Sequence, residues 1–227
     1  MQSILDYYDK LAKDYDSNRF GNSYGRYVNR LERKILREML SHVPSDKVLD
    51  IGCGTGRLLD FAMTGMDPSQ EMIKLAALKF PDRRLITAGL PHIASQGDAT
   101  FQAVYCFHVL MHLDQITVEK SFQAIGKLVE VGGQFIFDIP AHDRRVIFPR
   151  SPGALSWHGS TTATRADIKR WMGPHWQIVE RRGILFFPIH RLPTFLRKGL
   201  NVLDGWISST TLSRYSSYHI YRLERIS

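Results

Sequence analysis

Three glycines stand at alternate positions, Gly52, Gly54 and Gly56, directly after the apolar run Val48-Leu49-Asp50-Ile51. Glycine has no Cβ, so a backbone built on it turns tightly and lets a ligand approach at contact distance. A helix starting behind such a turn presents free N–H groups. The arrangement suits a nucleotide or nucleoside laid across the carboxyl ends of parallel strands. A dinucleotide fingerprint, Gly-x-Gly-x-x-Gly, spaces its third glycine one residue later than is seen here. That spacing weighs against a nicotinamide dinucleotide. Asp67 follows Gly56 by 11 positions, at the end of the next short apolar run. An acid at a strand end can accept hydrogen bonds from both hydroxyls of an adenosine ribose. The plainer reading is an acid favoured by the start of the following helix; the glycine loop ahead of it favours the ribose role.

These residues need a scaffold, and the hydrophobic pattern supplies one. Residues 4–16 read as a helix carrying Tyr7, Tyr8 and Tyr15, residues 19–25 as a loop with two glycines, and residues 27–40 as a helix with Val28, Leu31, Ile35, Leu36 and Met39 at helical spacing. Beyond Pro44, strands at 47–51, 63–66, 84–88, 101–107 and 134–139 alternate with helices at 57–62, 69–79 and 117–129, Ser69 being an N-cap. The run Ala103-Val104-Tyr105-Cys106-Phe107 has the continuous apolar character of a strand covered on both faces. The pattern predicts an α/β, doubly wound, mostly parallel seven-stranded sheet with helices on both faces. Residues 1–44 form an N-terminal helical cover, 45–140 the ligand-binding core, and 141–227 the rest of the same domain. In that last part, 149–164 reads as a loop, 165–172 as a helix, and 176–187 and 218–223 as a hairpin-like pair of strands. The stretch 192–213 carries Leu196, Leu200, Leu203 and Ile207 at helical spacing beside Arg197 and Lys198. The default reading is a helix face packed on the sheet; the alternative is a lipid-facing or substrate-gating helix.

Composition narrows the classes. The 227 residues are enough for one large domain, and 44% of them are hydrophobic, ordinary for a globular chain. No apolar run approaches the length that spans a bilayer. The opening residues lack the basic and apolar regions of a secretory leader, so a cytoplasmic location is expected. Cys53 and Cys106 lie far apart in apolar runs and read as free buried thiols, with no paired Cys/His spacing for a metal. The net charge of +8 is uneven: residues 1–113 carry 14 basic and 13 acidic groups, residues 114–227 carry 16 and 9. A basic half can attract nucleic acid, anionic lipid or an acidic substrate. No basic block exceeds two residues, which favours a solvated surface.

The segment Val48-Leu49-Asp50-Ile51-Gly52-Cys53-Gly54-Thr55-Gly56 resembles the first motif of class I S-adenosylmethionine-dependent methyltransferases. Gly65-Met66-Asp67-Pro68-Ser69-Gln70-Glu71-Met72 is similar to that family's second-strand segment. Residues 101–113 resemble its fourth strand and following loop, residues 128–133 the turn before its fifth strand, and Tyr7-Tyr8-Asp9 through Asp16 the N-terminal helix of its small-molecule branch. The resemblance covers residues 4–140. It implies S-adenosylmethionine as cofactor, with Asp50, Gly52, Cys53, Gly54 and Gly56 under its methionine part. Asp67 would hold the ribose, Pro68 and Met72 would lie near the adenine, Phe107 and His108 would face the methionine end, and Tyr15 would cap the site. Two departures stand out: the short spacing from Gly56 to Asp67, and Thr87-Ala88-Gly89-Leu90-Pro91 where the family often has an acid for the adenine amino group. Asp98 lies nearby, in a loop.

Methyl transfer asks the protein mainly for alignment and exclusion of water. A base helps when the acceptor is a hydroxyl or a protonated amine. His112 and, second to it, His108 lie where the resemblance puts the acceptor pocket. An imidazole of ordinary pKa about 6.5 accepts a proton at neutral pH. Either ring also suits a structural hydrogen bond. His142, His158 and His190 carry no ranking. The methyl group is expected to pass to O, N or C of a small molecule, amphipathic or anionic, with no nucleic acid and at most peripheral membrane contact; the alternatives are methylation of RNA or protein, or a non-catalytic cofactor-binding scaffold.

Overall fold

Apolar runs closed by Gly52, Pro68 and Pro140 form three of the parallel strands. The computed structural model describes residues 4–93, 100–149, 160–187, 203–204, 206–207 and 210–227. The strands are β1 (Val48–Ile51), β2 (Thr64–Asp67), β3 (Arg84–Thr87), β4 (Phe101–Cys106), β5 (Val129–Pro140), β6 (Trp176–Ile184) and β7 (Tyr218–Arg225). They make one seven-stranded sheet in the order β3-β2-β1-β4-β5-β7-β6. The first five are parallel, and β7 runs antiparallel between β5 and β6. Strand order reverses between β1 and β4, the switch point at which an open α/β sheet leaves a crevice for a ligand.

The helices are α1 (Ile4–Leu11), α2 (Tyr15–Phe20), α3 (Ser23–Met39), α4 (Gln70–Lys79), α5 (Gln115–Gly126), α6 (His142–Ile147) and α7 (Arg165–Met172). Side chains alternate across the sheet into two cores. Leu49, Val104, Phe135 and Tyr221 pack with Phe122 of α5 and Trp171 of α7. Val48, Ala103, Tyr105, Ile136 and Ile220 pack with Ile35 and Leu36 of α3 and Ala76 of α4. Burial on both faces fixes the register, since a one-residue slip would exchange the two sets.

Local signals place the helix starts. Ser69 caps α4 by accepting from the Met72 N–H, Asp114 caps α5 by accepting from the Thr117 N–H, and Thr164 and Asp167 cap α7 reciprocally.

Three sequence expectations are corrected. The loop read at 19–25 is mostly helical: α2 runs through Phe20, and Asn22 caps α3 by accepting from the Gly25 N–H. Gly25 is there for close packing, because a Cβ on it would lie 2.0 Å from the Arg19 carbonyl oxygen. The helix read at 57–62 is only a 3₁₀ turn at Leu59–Phe61, since few residues separate the glycine loop from β2. No α-helix therefore lies between the glycine loop and β2. Finally, β5 starts at Val129, five residues before the expected strand, and absorbs the Gly132-Gly133 turn with Gly132 at φ +81°. Asp98, His158, His190, Arg197, Lys198 and most of the stretch 192–213 lie outside the described residues.

Candidate active site

The carboxyl ends of β1, β2 and β4 converge on a cavity of about 240 Å³. Gly52 and Gly54 form its floor, Asp67, Pro68, Ser69 and Met72 one wall, and Phe107, His108, Val109 and His112 the other. Ile4, Leu5 and Tyr8 of α1, with Tyr15, close it from above. The cover is tied down at three places. Ser69 Oγ bonds to Asp9, Thr55 Oγ1 donates to Asp16 Oδ1 at 2.7 Å, and Tyr8 Oη lies 2.9 Å from His112 Nε2.

The glycine loop works by conformation. Gly52, Gly54 and Gly56 all have positive φ (74°, 53° and 89°), where L-residues are strained. A Cβ on Gly52 would meet Val109 Cγ2 at 2.2 Å, and one on Gly56 would meet the Phe80 ring at 3.0 Å, whereas one on Gly54 would meet nothing within 4 Å and project into open space. Gly54 is thus the glycine whose bareness leaves room for a ligand. Gly56 serves packing and does not line the cavity. Asp50 and Cys53 are set back in a recess of about 30 Å³ behind the loop, lined also by Tyr15, Gly54 and His108.

The two aspartates differ. Asp67 Oδ2 accepts the Gly54 N–H at 2.9 Å and Oδ1 the Ser69 N–H at 2.8 Å. A carboxylate has about four lone-pair sites, so acceptor capacity remains toward the cavity. Burial pushes its pKa up to about 6, against those two N–H donors, which lower it. Ligand hydroxyls donate best to the ionised form. Affinity for a ribose-bearing cofactor should therefore fall by up to about tenfold per pH unit below pH 6, as calorimetry across pH 5–8 would read, and Asp67→Asn should flatten the profile.

Asp50 is fully buried, and burial raises its pKa to about 8, with the Tyr105 hydroxyl and Arg57 pulling it down only in part. The folded chain holds a proton here that the unfolded chain releases near pH 4, so this group's contribution to stability falls as pH rises toward 8. Asp50→Asn, an isostere of the protonated acid, should fold, keep cofactor affinity within about threefold, and show a flatter thermal midpoint between pH 5 and 8.

His108 occupies the left-handed region at φ +60°. Its Nε2 is 2.7 Å from Glu32 Oε1 and its Nδ1 3.3 Å from Asp138 Oδ2, while its backbone N–H donates to Asp138 Oδ1 at 2.6 Å. Glu32 is 0% exposed, and its other oxygen faces the Arg57 guanidinium at 2.8 Å. Burial opposes the imidazolium, but Glu32 and Asp138 outweigh it and raise the His108 pKa. Burial likewise opposes the Glu32 carboxylate, yet His108 and Arg57 hold its pKa down at about 2. Both ring nitrogens of His108 are turned to carboxyl groups, so neither is turned to a substrate proton.

His112 is buried at the end of a 3₁₀ turn, Leu110–His112, and its Nε2 lies 2.9 Å from the Tyr8 phenol. Burial raises the Tyr8 pKa and keeps the phenol neutral. On the far side of His112 lies a second hollow of about 160 Å³, shared with Tyr8, Tyr15 and His108 and extended by Tyr24, Met111 and Tyr218. Cofactor-side cavity and second hollow thus meet at the Tyr8–His112 pair. Sequence reasoning missed Glu32, Arg57 and Asp138. A signal existed for Glu32, an acid lying four residues from both Val28 and Leu36 on the apolar face of α3. Tyr8 was visible only as one of several helix aromatics.

Residues 17–204 match a family model described as a methyltransferase domain. An uncharacterized protein of Methanocaldococcus jannaschii is 33% identical over 138 residues, 60% of this chain and 51% of that one. A ubiquinone biosynthesis O-methyltransferase of Paracidovorax citrulli is 31% identical over 110 residues, 43% of this chain and 45% of that one. The chain spans about half the length of the curated relatives it matches. Among solved structures, magnesium protoporphyrin IX methyltransferase of Synechocystis with bound S-adenosylmethionine superposes with a TM-score of 0.65 at 16% identity, covering 98% of this chain and 95% of that one. At that identity the likeness is one of fold.

Proposed function

Because the chain belongs to the methyltransferase-domain family, we propose that it moves the methyl group of S-adenosylmethionine to an oxygen, nitrogen or carbon of a small or amphipathic acceptor. One observation carries this reading: the bare backbone of Gly54 and the carboxyl of Asp67 face a single cavity that a second hollow joins at His112. The residues fit the cofactor. Asp67 has acceptor capacity left for two ribose hydroxyls, Met72 and Pro68 offer an apolar wall for a base, and Gly54 leaves backbone exposed where a side chain would intrude.

Bound S-adenosylmethionine supplies an already activated methyl group, so the protein's part is alignment. Tyr8, Ile4 and Leu5 cover the cavity and keep water out. His112 takes the acceptor's proton at Nε2 when the acceptor displaces the Tyr8 phenol, which lies 2.9 Å from that nitrogen in this structure. His108, braced by Glu32 and Asp138, is a positioning residue that fixes the loop after β4. The aromatic lining of that hollow and the relative in ubiquinone biosynthesis both support a phenolic acceptor. The test is turnover of methyl-labelled S-adenosylmethionine with panels of phenols, amines and carboxylic acids. Label transfer to a phenol supports the full reading, and transfer only to another class keeps the activity but removes the phenol. Cofactor binding with no transfer to any panel member, including amphiphiles, would favour a non-catalytic binding protein.

A further inference from the structure

Tyr218 stands between two hollows: the one beside His112, and a third cavity of about 560 Å³ farther from the cofactor side. The chain itself crosses from one to the other, since Leu185 lines the first, and Phe186 and Phe187 line the second. The third cavity is walled chiefly by those two rings, Ile147, Phe148, and the stems and guanidinium groups of Arg144 and Arg145. None of the described residues lining it is acidic. The nearest acid on α6, Asp143, is paired with Arg214 at 3.4 Å. Arg144 lies over the Phe148 ring at 4.5 Å, which holds a cation against apolar surface. At the outer edge, Val146, Ile147 and Phe148 are 64%, 52% and 59% exposed, three consecutive apolar side chains facing water. Apolar walls of this size take a hydrocarbon chain, and a guanidinium group such as that of Arg144, which also donates to the Tyr215 carbonyl at 3.3 Å, takes a carboxylate, sulfate or phosphate. The excess positive charge of residues 114–227 acts in the same direction.

We propose that this third cavity binds the hydrocarbon chain and anionic group of the methyl acceptor, an anionic amphiphile whose reactive end reaches the hollow beside His112. The proposal rests on the reading of that hollow as the acceptor site. Calorimetry on the full chain with dodecanoate below its micelle concentration tests it. Saturable binding of one dodecanoate per chain is expected. Decanoate should bind more weakly by on the order of tenfold, because two fewer methylenes are buried, and dodecanol should bind more weakly for want of the anion. The double variant Ile147→Asp with Phe148→Asp changes exposed side chains and should fold. It should weaken dodecanoate by about tenfold or more and leave S-adenosylhomocysteine affinity alone. Retention on phosphatidylcholine–phosphatidylglycerol vesicles, lost in the double variant, would place the source of the amphiphile in a bilayer. Monomer binding without retention would place it in solution. Absence of saturable dodecanoate binding, or binding that the double variant leaves intact, overturns the proposal. Dodecanoate binding without any cofactor binding would instead sink the methyl-transfer reading and leave the cavity assignment standing.

Discussion

His112→Ala should lower kcat by about 10²–10⁴-fold on an acceptor that must lose a proton, the usual contribution of a positioned general base. S-adenosylhomocysteine affinity should stay nearly intact, because Asp67 lies on the opposite wall and the glycine loop on the floor. The geometry behind this is the placement of Nε2, 2.9 Å from a neutral phenol, where the two hollows meet. Tyr8→Phe makes a graded companion: it frees the ring without removing it, so a loss smaller than that of His112→Ala is expected. Retention of more than about a third of wild-type kcat by His112→Ala would mean that the ring only holds the loop. His108 would not be the substitute, since both its nitrogens already face carboxylates.

The second large effect is expected at Gly54. Valine there must adopt φ near +53°, which costs a β-branched residue at least about 1–2 kcal/mol, and its side chain would project into the cavity. A domain of ordinary stability survives that strain. Cofactor binding should not survive, and a loss of about 100-fold or more, equivalent to nearly 3 kcal/mol, should be measured by calorimetry. Circular dichroism and thermal melting would show the variant folded. Binding within about threefold of wild type would mean that the floor of the cofactor site lies elsewhere.

Much of this site could be read before any coordinates. The alternation of apolar runs with helical stretches marks the parallel sheet, because strands buried on both faces must be continuously apolar. Gly52, Gly54 and Asp67 are legible because their chemistry is local: a tight turn needs glycine, and an acid at the next strand end suits both the helix start behind it and a ligand lying on the glycine loop. What stayed hidden depends on long-range contact. Glu32, His108 and Asp138 come from three elements separated by dozens of residues, and only packing of α3 against the end of β4 brings them together. The helical character of residues 19–25 was masked by glycines, whose propensity argues for a loop while close helix packing demands them. The short link from Gly56 to β2 was noticed, yet its consequence, a 3₁₀ turn in place of a helix, follows from how little chain is left to cross the sheet. The third cavity left no local signature, since its walls come from α6, from the residues after β6, and from the start of β7.

Methyl transfer as proposed requires the cavity at β1 and β2 to hold S-adenosylmethionine through Asp67. Titrating S-adenosylhomocysteine into wild type and Asp67→Ala by calorimetry tests this most directly, because it needs no knowledge of the acceptor. The account predicts saturable binding of one molecule per chain, weakened by about 1.5–3 kcal/mol in the variant, the scale of hydrogen bonds to a charged group, with both proteins folded. Absence of saturable binding in wild type, or equal affinity in the two proteins, would contradict it.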